Sequence, residues 1–111
     1  MKLTPFVEYL LHDAFIELDN VNVKHMFGGY GFYLDGRIFG FTIDDDTLVL
    51  KADDASKEKF ESRGCKQFIY EGHTSKKPTA MPYWTVPDDV MEDPHQLAQW
   101  ARESAALSQP K

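Results

Sequence analysis

An alternation of apolar with small or polar residues over 30–51, interrupted by two short turns, constrains the fold of this chain more than any other feature. Apolar side chains recur at every second position on both sides of Asp35-Gly36, a dipeptide typical of two-residue hairpins. The acidic run 44–46 predicts a second turn, followed by a strand over 47–51. Links of two and three residues are too short for a parallel crossover, so the pattern predicts an antiparallel three-stranded meander.

Apolar residues at helical spacing, together with capping signals at the helix ends, predict three helices around this meander. The first begins at Thr4-Pro5, an N-cap residue followed by a proline at the first helical position, and its apolar stripe continues to Leu18. The second is a short helix over 55–63, in which Phe60 is the single large apolar residue. The third begins at Asp93-Pro94, which is again a cap followed by a proline.

Two further strands are predicted over 66–71 and 80–86, joined by a polar link over 72–79. The predicted order is therefore α-β-β-β-α-β-β-α. This order predicts an α+β domain of two layers, with helices on one face of an antiparallel sheet. A chain of 111 residues can bury one core but not two, so we expect a single domain over 1–111 with a frayed tail at 108–111.

Charge and hydropathy exclude several classes of protein. The formal net charge of −6 at pH 7 argues against a general nucleic-acid binder, because affinity for a phosphate backbone comes from Lys and Arg. No apolar run approaches the ~20 residues that span a bilayer, and residues 1–8 lack the regions of a signal peptide. Cys65 is the single cysteine, which is compatible with a reducing compartment. We therefore expect a cytoplasmic protein that binds neither membranes nor nucleic acid directly.

Three glycines lie among apolar and aromatic residues in the run Met26, Phe27, Gly28, Gly29, Tyr30 and Gly31. Glycine suits a positive φ or a close approach of backbones, so this run predicts a structural bulge, tight bend or packing site. Its centre matches an RNA-recognition motif, but Gly28 stands where that motif has a basic residue and Asp35 stands where it has an aromatic one. The glycine spacing also differs from the dinucleotide and Walker phosphate loops.

Side chains that could bind a metal or catalyse a reaction form no recognised pattern. The acidic run 44–46 lacks the alternating ligands, central glycine and distal glutamate of a calcium loop. No metal-ligand spacing separates the four histidines, which are His12, His25, His73 and His95. Cys65 has no activating base beside it in the sequence. We therefore expect no metal, no cofactor and no catalytic residue.

Four blocks follow one another along the chain: the glycine run, Leu50-Lys51-Ala52-Asp53, Ala80-Met81-Pro82-Tyr83-Trp84 and Trp100-Ala101-Arg102. Together they resemble the N-terminal domain of the TfoX/Sxy family of bacterial competence regulators, over residues 5–107. The resemblance implies a fold similar to that of secretion chaperones and no established catalytic residues. It also implies a co-activator that works with the catabolite activator protein at competence-gene promoters. Full-length members carry a C-terminal domain similar to helix-hairpin-helix modules, and we expect a single-domain member that lacks it.

Lys51, Tyr83 and Trp84 are the candidate interaction residues. Neighbouring residues of a strand face opposite ways, so we expect one of the two aromatics to leave the core. An exposed aromatic beside a lysine is typical of recognition surfaces. The alternative is plain packing, in which both faces of the sheet are covered.

We therefore predict a non-enzymatic regulatory domain that binds a protein partner, with the transcription machinery as the implied partner, and that forms a homodimer through its sheet. Antiparallel sheets that face water usually alternate apolar with polar residues. Here alternation places Tyr30, Phe32, Phe39 and Phe41 on one side and Phe27, Tyr33 and Ile38 on the other. Large side chains therefore lie on both faces of the sheet, and the face that the helices leave uncovered is expected to pair with a second copy. The alternative function is a small-ligand-binding domain or an unrecognised enzyme with a pocket near residues 26–30 and 83–84.

Overall fold

The computed structural model describes residues 3–26, 29–44, 46–70 and 78–108, and within them six strands form one sheet. The strands are β1 (Val21–Met26), β2 (Gly29–Leu34), β3 (Arg37–Ile43), β4 (Thr47–Lys51), β5 (Gln67–Tyr70) and β6 (Thr79–Thr85). They lie in the order β1-β2-β3-β4-β6-β5, and every neighbouring pair is antiparallel. The predicted α+β class and the antiparallel meander are confirmed.

Short turns set the register of the meander, as expected. Asp35 and Gly36 both have positive φ, 52° and 80°, which is the conformation that a two-residue hairpin of the I′ type requires. Asp44 also has a positive φ of 54° at the second turn. Asp45 of that turn lies outside the described residues, as does most of the polar link predicted over 72–79.

The helices lie at both ends of the chain and between β4 and β5. They are α1 (Pro5–Tyr9), which continues as a π-helical segment (Leu10–Ala14), α2 (Lys57–Glu61), α3 (Asp88–Met91) and α4 (Pro94–Ala106). The predicted caps are confirmed: Thr4 Oγ1 accepts the Val7 N–H at 3.2 Å, and Asp93 accepts the N–H of His95 at 3.0 Å.

The first helix differs from the regular one that the sequence predicts. The Phe15 N–H donates to the Leu10 carbonyl, five residues back, at 2.7 Å. A π-type turn places residues five apart on the same side of the helix. Leu10 and Phe15 therefore both face the sheet, where they are 0% and 1% exposed.

Two apolar clusters lie on opposite faces of the sheet. The larger one contains the buried side chains of every described helix together with strand residues such as Phe32, Leu50 and Trp84. The smaller one contains strand residues only: Phe41, Val49 and Tyr83 are buried, and Ile43, Phe68 and Met81 pack against them. We call it the strand-only cluster. The described helices thus cover one face, as the sequence predicts.

A β-bulge in β3 decides which face receives Phe41. Phe32 pairs with Gly40 and Tyr33 pairs with Ile38, so Phe39 is an extra residue with no partner position in β2. An extra residue reverses the alternation beyond it. Phe39 therefore packs under the helices and Phe41 lies in the strand-only cluster. The prediction that Phe41 shares a side with Phe32 and Phe39 was wrong for this reason.

The structure contains two elements, β1 and α3, that the order predicted from the sequence does not include. Residues 21–26 form an edge strand that pairs with β2 from Val21↔Leu34 to Met26↔Gly29. The four residues of α3 lie between β6 and α4. At the other end, Ser108 was expected to open a frayed tail, yet its side chain is 4% exposed and hydrogen-bonded.

Candidate functional site

The three candidate interaction residues do not form one patch in the structure. Trp84 packs under the helices, 8% exposed, with its ring 6.5 Å from that of Phe60. Tyr83 lies on the other face, 7% exposed, in the strand-only cluster. The two neighbours thus face opposite ways, as expected of a strand. The Lys51 ammonium donates to Ser108 Oγ, just beyond the end of α4. A role of these three residues in recognition stays a prediction.

Burial controls the chemistry of Tyr83. Its ring centroid lies 4.5 Å from that of Phe41. Desolvation by this apolar surrounding, and then the neighbouring Tyr33, raise the pKa of Tyr83 to about 12. The phenol therefore stays protonated at neutral pH and contributes a packed ring rather than an acid–base group.

The end of α4 is held to the sheet by a set of hydrogen bonds that we call the Ser108 clamp. Ser108 Oγ donates to the Ile38 carbonyl at 2.7 Å and accepts from Lys51 Nζ at 3.0 Å. Arg37 Nη1 donates to the Ser108 carbonyl at 3.1 Å. Ser104 Oγ, one turn earlier, donates to the Lys51 carbonyl at 2.7 Å. Lys51 thus serves a structural contact across 57 residues, which no local pattern in the sequence could indicate.

The glycine run has a backbone role at Gly29. A Cβ atom at Gly29 would lie 2.4 Å from the Thr42 carbonyl oxygen and 2.8 Å from Thr42 Oγ1. That hydroxyl accepts the Tyr30 N–H at 3.0 Å. Gly29 is not among the residues with positive φ, so close approach of β2 and β3 is its constraint. Gly31 of β2 pairs with Phe41 of β3, and the backbone of Met26 in β1 pairs with Gly29. Phe27 and Gly28 lie outside the described residues.

A groove of about 380 Å³ opens beside Trp84, between the end of β4, α2 and the β5–β6 pair. We call it the Trp84 groove. It is lined by Ala52, Asp53, Asp54, Lys57, Glu61, Gln67, Ala80, Pro82 and Trp84. The sequence predicted a pocket near residues 26–30 and 83–84; among the residues of these ranges that the structure describes, Trp84 lines the groove. The other lining residues come from separate elements, and no spacing along the chain could have brought them together.

The polar groups of the groove are partly engaged. Asp53 Oδ1 accepts the N–H and the hydroxyl of Ser56, both at 2.9 Å, and these bonds lower the pKa of Asp53. Lys57 Nζ lies 3.7 Å from Asp54 Oδ1. Gln67 Nε2 donates to the Met81 carbonyl at 2.8 Å, which fixes the wall between β5 and β6.

Groups with catalytic or metal-binding chemistry lie apart from one another. Within residues 3–26, 29–44, 46–70 and 78–108, no three His, Cys, Asp or Glu side chains are arranged to hold a metal ion. Burial raises the pKa of the Cys65 thiol, which disfavours the nucleophilic thiolate. Across the same described parts of the chain, no helix is long and apolar enough to cross a membrane.

Comparison with known proteins confirms the resemblance seen in the sequence. The family model of the TfoX N-terminal domain matches residues 13–107 of the 111-residue chain. An uncharacterised 12.7 kDa protein in the trpE 5′ region of Spirochaeta aurantia is 40% identical over 92 residues, which cover 82% of this chain and 71% of that protein.

Proposed function

We propose that this chain, which belongs to the TfoX N-terminal domain family, is a non-enzymatic regulatory domain that works by binding other proteins in the cytoplasm. The observation that supports the proposal best is the strand-only cluster. Its margin is formed by Ile43, Phe68 and Met81, which are only partly buried. Apolar surface on a sheet face without helices is typical of interaction sites.

A second copy of the chain is the first occupant that we propose for this face. Identical patches pair most simply about a two-fold axis, which is the commonest symmetry of soluble oligomers. The bulge in β3 places Phe41 in the cluster beneath this face, where it is already 0% exposed, so the surface left to a partner is the margin. Burying the partly exposed Ile43, Phe68 and Met81 against a second copy would remove their apolar surface from water.

The regulatory partner that we propose is a protein of the transcription machinery, as the family resemblance implies. Direct binding of duplex DNA is not part of the proposal, because a domain with a net charge of −6 repels the phosphate backbone. The Trp84 groove supports a second candidate function, the binding of a small ligand, since its volume lies in the range of ligand pockets.

An affinity purification from the native cytosol tests the proposed function. The bait is the wild-type chain, compared with Met81→Glu, which places a charge at the margin of the strand-only cluster. Ile16→Glu is the matched control, because Ile16 is 64% exposed and lies outside that cluster. We expect RNA polymerase or its activator to co-purify with the wild type and Ile16→Glu but not with Met81→Glu, because that variant cannot form the dimer that we propose the partner binds. Equal recovery with all three baits, or recovery with none, would contradict the proposal.

A further inference from the structure

The Trp84 groove combines an apolar floor with an acidic rim. Ala52 and Trp84, 2% and 8% exposed, form the floor. Asp53, Asp54 and Glu61 bring three carboxylates to the lining, against the single ammonium of Lys57. The groove therefore carries a net charge of −2 when these groups are ionised, and it attracts cations rather than phosphates or carboxylates.

The three carboxylates differ in how far they are already engaged. Asp53 Oδ1 is occupied by Ser56, and Asp54, fully exposed, lies 3.7 Å from the Lys57 ammonium. Such an exposed ion pair contributes little. Glu61 is exposed, and its carboxylate has no hydrogen bond or ion pair with any residue that the structure describes. Glu61 is thus the carboxylate best able to accept a new cation.

The indole N–H of Trp84 is the second polar feature to consider at the groove, which this residue lines. It donates to no acceptor in the described parts of the chain, although the residue is more than nine-tenths buried. In those parts, every fully buried side-chain nitrogen or oxygen has a partner. The N–H must therefore keep contact with solvent, and the groove is a cavity that Trp84 lines. A ligand that fills the groove has to offer an acceptor to this donor, because a buried N–H without a partner is costly.

We propose that the Trp84 groove binds a basic residue, arginine or lysine, of a protein partner. The cationic end of the side chain pairs with Glu61 and Asp54 at the rim, the alkyl stem covers Ala80 and Pro82, and a main-chain carbonyl accepts the Trp84 N–H. An arginine side chain suits such a site, because its methylenes pack on apolar surface while its guanidinium binds carboxylates. This inference rests on the proposed function, since it names one chemical feature of the partner.

The test is a titration followed by the indole N–H signals in ¹H–¹⁵N spectra, with the Trp84 and Trp100 signals assigned from a Trp100→Phe variant. The probe is N-acetyl-arginine N-methylamide, which carries both the cation and the carbonyls. We expect the Trp84 signal to shift and saturate while the Trp100 signal stays in place. The neutral citrulline analogue, with the same shape, is expected to bind at least about tenfold more weakly. A Trp84 signal that stays in place with the arginine probe, or equal binding of citrulline, overturns the proposal.

Matched variants locate the cation. Glu61→Gln is expected to weaken the arginine probe by about threefold to tenfold, the usual effect of losing one charge-assisted bond. Glu92→Gln, the same change at an exposed position outside the groove, is expected to leave the binding unchanged. Equal effects of the two variants would show a general charge effect and overturn the proposal.

A second probe separates a residue of a protein chain from a free guanidinium. Butylguanidine carries the guanidinium and an alkyl stem without a carbonyl, at the same single positive charge, so it should bind more weakly than the arginine probe. Equal or tighter binding of butylguanidine would show that the groove recognises a free guanidinium and would overturn the choice of a protein partner. Because Met81 does not line the groove, failure here leaves the affinity purification with Met81→Glu as an independent test of the proposed function.

Discussion

Replacing Gly29 by alanine tests the role of the glycine run most sharply. The new Cβ would lie 2.4 Å from the Thr42 carbonyl oxygen, where ordinary contact begins at 3.4 Å. The neighbour is backbone of the paired strand β3, so it cannot rotate away as a side chain could. Strands β2 and β3 must therefore move apart by about 1 Å at this point. The same movement strains the bond from the Tyr30 N–H to Thr42 Oγ1.

The expected loss of stability follows from these two contacts. Overpacking of a well-packed site costs about 1–3 kcal/mol, and losing the hydrogen bond costs about 0.5–1.5 kcal/mol. Alanine also restricts the unfolded chain, which returns about 0.4–1 kcal/mol. The net reduction in the free energy of unfolding is therefore about 0.5–4 kcal/mol, centred at about 2 kcal/mol. Valine at the same position should cost at least as much, because its branched side chain needs more space.

Urea unfolding followed by far-ultraviolet circular dichroism measures this loss. The control is Gly64→Ala: Gly64 has a φ of 77° but open space around the added Cβ, so only backbone strain of about 1 kcal/mol applies. We expect Gly29→Ala to lower the unfolding midpoint more than Gly64→Ala does. A midpoint equal to the wild type, or a smaller effect than that of Gly64→Ala, would refute the close-approach explanation.

The remaining predictions concern the end of α4 and the choice of partner. Ser108→Ala should lower the free energy of unfolding by about 1–2 kcal/mol, because the Ile38 carbonyl and the Lys51 ammonium lose their partner. The control Ser62→Ala, at an exposed serine, should change the urea midpoint by much less. Equal effects of the two variants would contradict a stabilising role of the Ser108 clamp. The chain should show no appreciable binding to duplex DNA at physiological salt, given its net charge of −6. A fluorescence anisotropy titration with sub-micromolar, salt-sensitive binding would overturn this expectation.

Local patterns in the sequence predicted the parts of the fold that local chemistry determines. The Asp35-Gly36 hairpin and the caps at Thr4 and Asp93 depend on residues within a few positions of one another, and all are present. The predicted order lacks the edge strand β1, because it carries just two β-branched residues, Val21 and Val23, and mostly polar residues beside them. The four residues of α3 are too few to show helical periodicity.

Long-range contacts determine the features that the sequence did not predict. The bulge at Phe39 depends on how β3 pairs with β2, and it moved Phe41 to the face opposite the predicted one. Ser108 is buried because Arg37 and Lys51, far away in the sequence, reach it. The Trp84 groove likewise joins residues of β4, α2, β5 and β6. Candidate sites of this kind need the topology before their residues can be named.

Sedimentation equilibrium over a micromolar concentration range tests the central claim most directly, namely that the face bearing the strand-only cluster is an interaction surface. We predict a wild-type mass that rises toward twice 12.8 kDa with increasing concentration, the same rise for Ile16→Glu, and no rise for Met81→Glu. A wild-type mass that stays near 12.8 kDa at the highest concentration, or a Met81→Glu variant that associates as well as the wild type, would contradict the claim.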